Sequence, residues 1–300
     1  GNSKLEISRS AAAIAGPGLA GALFGVLRVY AIVLDSLSFL ASALAVWAVR
    51  RREPVPQPHP AEGRSGMLAE IREGLAVVLG NPVLRAIAAT TSTSNLFGSI
   101  AFATFILFAT QELGLDAVAI GLIFGIGNIG ALAGAVIAGR LPKWIGVGRT
   151  IMLGIVVGAV AVPLVPLATP ETAFALLLVN GFGGAIGSMV YNINQVSLRQ
   201  SITPDRLQGR MNASMRFIVW GTIPIGTLIG GALAAALGLR EAIWVGAIGG
   251  LTAVLWLLFS PVRTMREAPP PWEGPAPTEP SAVAQEAEAT QETEAAETTP

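Results

Sequence analysis

The chain has 300 residues, of which 52% are hydrophobic and only 13% charged, with 19 basic and 19 acidic side chains, one histidine and no cysteine. Soluble domains carry about 25% charged residues, so this composition excludes an ordinary soluble globular protein, and the lack of cysteine excludes disulfide frameworks and thiolate metal sites. The single histidine, His59, stands in the Pro-rich stretch "PVPQPHPAE", so neither a metal nor another cofactor is expected.

Eight apolar runs are long enough to cross a bilayer: 10–27, 29–49, 84–110, 117–139, 150–168, 172–198, 213–237 and 241–261. Crossing takes about 20 mostly apolar residues, and inside lipid only a helix satisfies its own backbone in a single segment. The expected class is an all-α polytopic membrane protein. Turns such as "QELGLDA", "ATPET" and "LGLRE" are short enough to join antiparallel neighbours.

The first run, "AAAIAGPGLAGALFG", strings together small residues around Gly16 and Pro17, with Gly21 and Gly25 following. Small residues let helix backbones approach, and a proline bends a helix by removing a hydrogen bond. The second run holds Asp35, the one carboxylate inside a span. An intramembrane acid is a proton-coupling candidate, although near a span end it also suits a helix start or a pairing with Arg28. Residues 50–82 form a basic, Pro-rich linker. Its second half places Met67, Leu68, Ile71, Leu75, Val78 and Leu79 on one helical face. That pattern predicts an amphipathic helix on the membrane surface.

The third run begins "AATTSTSNLFGS", with Ser92 and Asn95 inside it. The fourth contains "GIGNIG", around Asn128. A dinucleotide site would need this pattern between a strand and a helix, so here it reads as helix packing. The sixth carries Asn180, Tyr191, Asn192, Asn194 and Gln195. Polar groups at membrane depth are costly and usually face a cavity, or bond between helices. Asn95, Ser92, Asn192, Asn194, Gln195 and Asn128 are therefore the substrate-cavity candidates. Arg216, a turn into the seventh run, suits snorkelling or a pairing with Asp205 or with an acid of a segment preceding Gly1. Residues 263–300 read as a disordered acidic tail, since "EAPPPWEGPAPTEP" and the Ala-, Thr- and Glu-rich stretch after it cannot bury a core.

If residue 1 lies in the cytoplasm, 17 of the 19 basic residues fall on the cytoplasmic side, and only Arg28 and Arg240 fall outside. This asymmetry predicts a multi-pass protein of the cell membrane with both ends of the chain cytoplasmic. The zero net charge conceals it, because 8 of the 19 acidic residues sit in the tail.

Several stretches carry a resemblance: "LEISRSAAAIAGPGLAGAL", "LDSLSFLASAL", "EIREGLAVVLGNPVLRAI", "SPVRTMRE" and above all "YNINQVSLRQSITPDRLQGRMNASMRFIVWGTIPIGTLIGG". The chain resembles the major facilitator superfamily of transporters, in the enterobactin-exporter-like or transmembrane secretion effector branch, over residues 1 to about 267. The resemblance implies the major facilitator fold, with eight of an expected twelve spans present and the first four preceding Gly1. Residues 1–49 would end a first six-helix half, 50–82 would join the halves, and 83–262 would be the second half.

It also implies a gating role for two small-residue motifs. Gly16, Pro17 and Gly21 match the antiporter motif, with Ala20 where a second glycine is usual. In "GRLPKWIGVGRT", Gly139, Arg140 and Arg149 match the superfamily's basic loop, with Pro142 where an acid is usual. The third and sixth runs correspond to cavity-lining helices of the superfamily. The expected function is export of a small amphiphilic molecule, such as a siderophore, drug or metabolite, by proton antiport and alternating access. The expected partners are the lipid bilayer, that substrate and H+, with no nucleic acid and a monomer when full length. Alternatives are a permease subunit driven by a separate ATPase and a non-transporting scaffold. No enzyme is expected, because no catalytic constellation stands out.

Overall fold

The computed structural model describes residues 30–48 and 67–270. Among them the chain is helical throughout, with no strand. The first expected span, with Gly16, Pro17 and Gly21, lies outside the described residues. The second is helix α1, Tyr30–Trp47, whose described side chains are all exposed.

Helix α2, Met67–Gly80, forms where the sequence predicts an amphipathic helix. Asn81 follows it and caps the next helix, its Oδ1 accepting from the amides of Val83 (2.9 Å) and Leu84 (3.2 Å). Pro82 therefore begins helix α3, Pro82–Gln111, at the first helical position, where its missing N–H costs nothing. Asp116 caps α4, Ala117–Ala138, through the amide of Ala119 at 2.7 Å. A short helix α5, Leu141–Ile145, leads through Gly146, at φ +87°, into α6, Val147–Ala161. Helix α7 is Ala173–Ser201 and α8 is Asp205–Leu237. Helices α9, Leu239–Leu251, and α10, Ala253–Leu258, together make one crossing interrupted at Thr252, whose hydroxyl bonds the Gly249 carbonyl at 2.6 Å.

Among the described residues six segments are long and apolar enough to cross a membrane: α3, α4, α6 with its 3-10 extension to Leu164, α7, α8 and α9–α10. Phe217 and Leu228 on α8 are each 75% exposed. Apolar surface on this scale belongs in lipid, and the protein is a multi-pass membrane protein.

The six crossings form two groups of three. Helix α3 packs chiefly against α8 and α9, and α7 packs chiefly against α4 and α6. Glycines set both contacts. A Cβ on Gly130 of α4 would run into the carbonyl oxygen of Phe182 on α7. One on Gly187 of α7 would stand 2.5 Å from the Gly158 nitrogen and 2.7 Å from the Gly154 oxygen on α6. The "GIGNIG" segment is thus a packing surface, as its place inside an apolar run implied.

The buried apolar core lies at the two ends of the bundle. One end gathers Val77, Leu84, Ile87, Ile151, Leu198, Leu207 and Met211. The other gathers Phe105, Phe108, Ile123, Leu177 and Ile243. Helix α2 belongs to the first end. Its Val77 and Val78 are fully buried, Gly74 lies against Ser214 and the Arg210 carbonyl of α8, and Glu73 bonds Arg210 at 2.6 Å. Leu79, expected on the apolar face, is half exposed. At the other end Arg240 acts as a clamp. It donates to the carbonyls of Pro166 (2.5 Å) and Ala168 (3.0 Å), pairs with Glu112 (3.3 Å), and covers the Phe108 ring.

Substituting Gly130 with valine forces α4 and α7 apart and is expected to cost about 1–3 kcal/mol. The check is thermal unfolding in detergent beside Gly183→Ala, a position on α7 with no atom near its Cβ, which should change stability by less than about 1 kcal/mol.

Candidate functional site

Between the two three-helix groups lies a cleft of about 990 Å³. It is the meeting place of polar side chains from α3, α4 and α7. Along α3 the lining residues are Thr91, Ser94, Asn95, Gly98, Phe102 and Phe105. Along the second half of α7 they include Ser188, Asn192, Gln195 and Arg199. Steps of three and four residues keep each set on one face, since successive residues turn by about 100°.

The polar groups are held in place. Thr91 donates to the Ile87 carbonyl of its own helix and shares a 2.7 Å hydrogen bond with the Tyr191 hydroxyl, which ties α3 to α7. Asn95 donates to the Val219 carbonyl of α8 at 3.1 Å. Asn128 donates to the Phe124 carbonyl one turn before it at 3.0 Å. Gln195, only 4% exposed, donates to the Asn192 Oδ1 at 3.1 Å, while its own Oε1 is buried without a hydrogen-bond partner. Beyond Gly98 on α3, Phe102 and Phe105 stack with a centroid separation of 6.4 Å, and Phe124 meets both edge-on.

Of the six cavity candidates, Asn95, Asn128, Asn192 and Gln195 line this cleft, and Ser92 and Asn194 are not among its lining residues. Asn194 sits two residues, or about 200°, from Asn192. Its amide donates instead to the carbonyls of Ala138 on α4 (3.2 Å) and Val190 (2.9 Å). The Ser92 hydroxyl is buried with no partner among the described residues.

Of the gating candidates, Gly139, Arg140 and Arg149 are among the described residues and lie at the α2 end. Gly139 ends α4, and Arg140, exposed, reaches back to the Val136 carbonyl at 3.5 Å. Arg149 is exposed on α6 and lines a separate crevice with Arg263 and Arg266. Asp35 is exposed on α1, where its backbone carbonyl accepts from the Ser38 hydroxyl. Arg28 lies outside the described residues. Two cations that suit topology or anchoring in the sequence, Arg199 and Arg216, prove to line the cleft. Arg216 stacks over the Trp220 ring at 4.7 Å rather than pairing with Asp205. Arg199 stands seven residues after Asn192, two turns along the same face, and that spacing was the available signal.

The sequence profile described as transmembrane secretion effector matches residues 3–286. The chain belongs to this family of the major facilitator superfamily. Among curated relatives, it is 27% identical over 245 residues to the multidrug efflux pump Tap of Mycolicibacterium fortuitum. It is 28% identical over 250 residues to the uncharacterized MFS-type transporter y4rN of Sinorhizobium fredii (strain NGR234). The matches take in 80% and 81% of this chain and 58% of each relative. The chain thus spans well under two thirds of the relatives' length.

The geometry separates two asparagines that look alike in the sequence. Asn194→Leu removes the cross-helix bond to Ala138 and should lower stability by about 1–2 kcal/mol. Among the described residues Asn192 accepts only from Gln195 of its own helix, so Asn192→Asp, which keeps that acceptor on the exposed cleft face, should leave the unfolding temperature in detergent unchanged. Equal effects of the two substitutions would contradict this assignment.

Proposed function

We propose that the complete protein is a secondary active transporter that exports a small amphiphilic molecule in exchange for protons. The cleft carries this reading. It is large enough for a drug-sized ligand, it lies between two helix groups within a membrane-crossing bundle, and its lining mixes amide groups with an aromatic cluster. An efflux pump among the relatives supports the export direction.

On this reading residues 1–49 are the last two helices of a first six-helix half and 50–82 join the halves. Residues 83–262 form the second half, and 263–300 are an acidic tail. The α2 end, with Arg140, Arg149, Arg199, Arg206, Arg210, Arg263 and Arg266, faces the cytoplasm of a cell membrane. The two halves rock about the cleft and expose it to each side in turn. Asn95, Asn128, Asn192 and Gln195 contact the substrate. Asp35 and the loop from Gly139 to Arg149 serve proton coupling and gating, together with Gly16, Pro17 and Gly21. No bond is made or broken, and no nucleotide is consumed.

The test is transport by the complete gene product in proteoliposomes with an imposed pH gradient, using a panel of fluorescent amphiphiles. Uptake that collapses when a protonophore dissipates the gradient is the expected result. Asn192→Leu should slow it by roughly tenfold, the equivalent of one lost hydrogen bond of about 1.4 kcal/mol. Transport of none of the amphiphiles under any gradient would overturn the reading.

A further inference from the structure

We propose that the cleft selects anions: the transported amphiphile carries a carboxylate, sulfonate or phosphate group, and Arg199 receives it, with Arg216 beside it. This rests on the cleft being the transport site. The carrying observation is the charge of the lining. Among the described residues its two ionisable cations are Arg199 and Arg216, and no aspartate, glutamate, lysine or histidine of these residues lines it.

The two arginines differ in their surroundings. Arg216 is exposed and its guanidinium lies over the Trp220 ring. Arg199 is half-buried. Its Nε is shut off from solvent and makes no hydrogen bond among the described residues, and no acidic side chain there pairs with it. One turn before it, the Oε1 of Gln195 is equally buried and unpartnered. A desolvated charge without a counter-charge is costly, and its neutralisation by an arriving anion recovers that cost. Guanidinium is suited to the task, because its planar fork of donors matches two oxygens of a carboxylate, sulfonate or phosphate.

A position in the last turn of α7 also favours a cation through the helix dipole. That effect accounts for a positive charge at the helix end, but not for a buried Nε with nothing to bond. The rest of the ligand has a place as well. The Thr91–Tyr191 bond marks the level where α3 and α7 meet. Arg199 lies about 12 Å from it toward the α2 end, and Phe102 about 16 Å from it toward the other, at 1.5 Å per residue. An amphiphile with its anionic head at Arg199 directs its apolar body toward the phenylalanine cluster. A cationic amphiphile meets two guanidiniums and, among the described residues, no carboxylate, and is repelled.

A matched pair of probes tests this: naphthalenesulfonate and naphthylmethylammonium, which share a ring and differ in charge. Binding to the detergent-purified complete gene product is read by tryptophan quenching. The sulfonate is expected to bind about tenfold or more tightly than the ammonium. Arg199→Gln should abolish that preference at an unchanged unfolding temperature, while Arg199→Lys, which keeps the charge without the fork, should keep part of it. Equal binding of the two probes overturns the proposal. So does an Arg199→Gln protein that still prefers the sulfonate. If that protein keeps the preference and unfolds at a lower temperature, Arg199 pairs with a carboxylate of the protein itself and not with a ligand. If the preference depends on Arg199 but no amphiphile of the panel, these two probes included, is transported under any gradient, the anion site stands and the transport reading fails.

Discussion

Two helices in lipid have no water to expel from between them, so their attraction depends on how closely their backbones approach. Here that approach is made at glycine, and two helices act as hubs. On α7, Gly181 and Phe182 meet Gly127 and Gly130 of α4 on one side, while Gly187 and Tyr191 meet Gly158 and Gly154 of α6 on the other. On α3, Leu96 and Ile100 meet Gly226 and Gly230 of α8, while Phe97 and Ala101 meet Gly246 of α9. Each hub spends two of its faces on these contacts. The third face, carrying Thr91 and Asn95 or Asn192 and Gln195, is left for the cleft. The cleft is therefore a consequence of where the glycines fall, and the polar stripes are in register with it.

The apolar core reinforces this division. Buried large side chains collect at both ends of the bundle, around Leu84 and Met211 at one and Phe108 and Ile243 at the other. The ends hold the helix groups together while the middle stays open. Most polar groups of the middle are satisfied within the protein, as Asn95 is by the Val219 carbonyl and Asn128 by the Phe124 carbonyl. They persist without a ligand at little cost. Among the described residues, Gln195 Oε1 and Arg199 Nε are the exceptions along the cleft.

Much of the fold was legible because hydropathy and membrane thickness are coupled. The run 117–139 became α4, Ala117–Ala138, and the run 172–198 became α7, Ala173–Ser201. The largest difference between run and helix at any one end is at the start of α8, where the helix outruns the bilayer. The run 213–237 became α8 starting at Asp205, because "DRLQGRMN" is polar yet forms its own backbone hydrogen bonds. At about 50 Å, α8 exceeds a hydrocarbon core of about 30 Å. The site was legible by residue type but not by direction. Asparagine at membrane depth announces a polar partner, and the sequence does not say whether that partner is a ligand, as suits Asn192, or the Ala138 carbonyl, as holds for Asn194. Arginines were hardest to read. Arg240 broke the charge asymmetry because it clamps the Pro166 and Ala168 carbonyls, and Arg199 followed it while lining the cleft.

The size of the cleft decides what kind of space it is. At about 990 Å³ and open to its surroundings rather than enclosed, the cleft is a space that solvent, lipid, ligand or further protein fills, and its lining is graded to suit. Toward the Phe102, Phe105 and Phe124 cluster the walls offer apolar contact, and displacing water there favours an apolar group. Toward Gln195 and Arg199 the walls are polar and cationic, and there an apolar group would desolvate the guanidinium without supplying a counter-charge. A ligand matched to this gradient is amphiphilic, with its polar head toward Arg199 and its apolar body directed toward the phenylalanines, so the wall itself restricts what the cleft holds well.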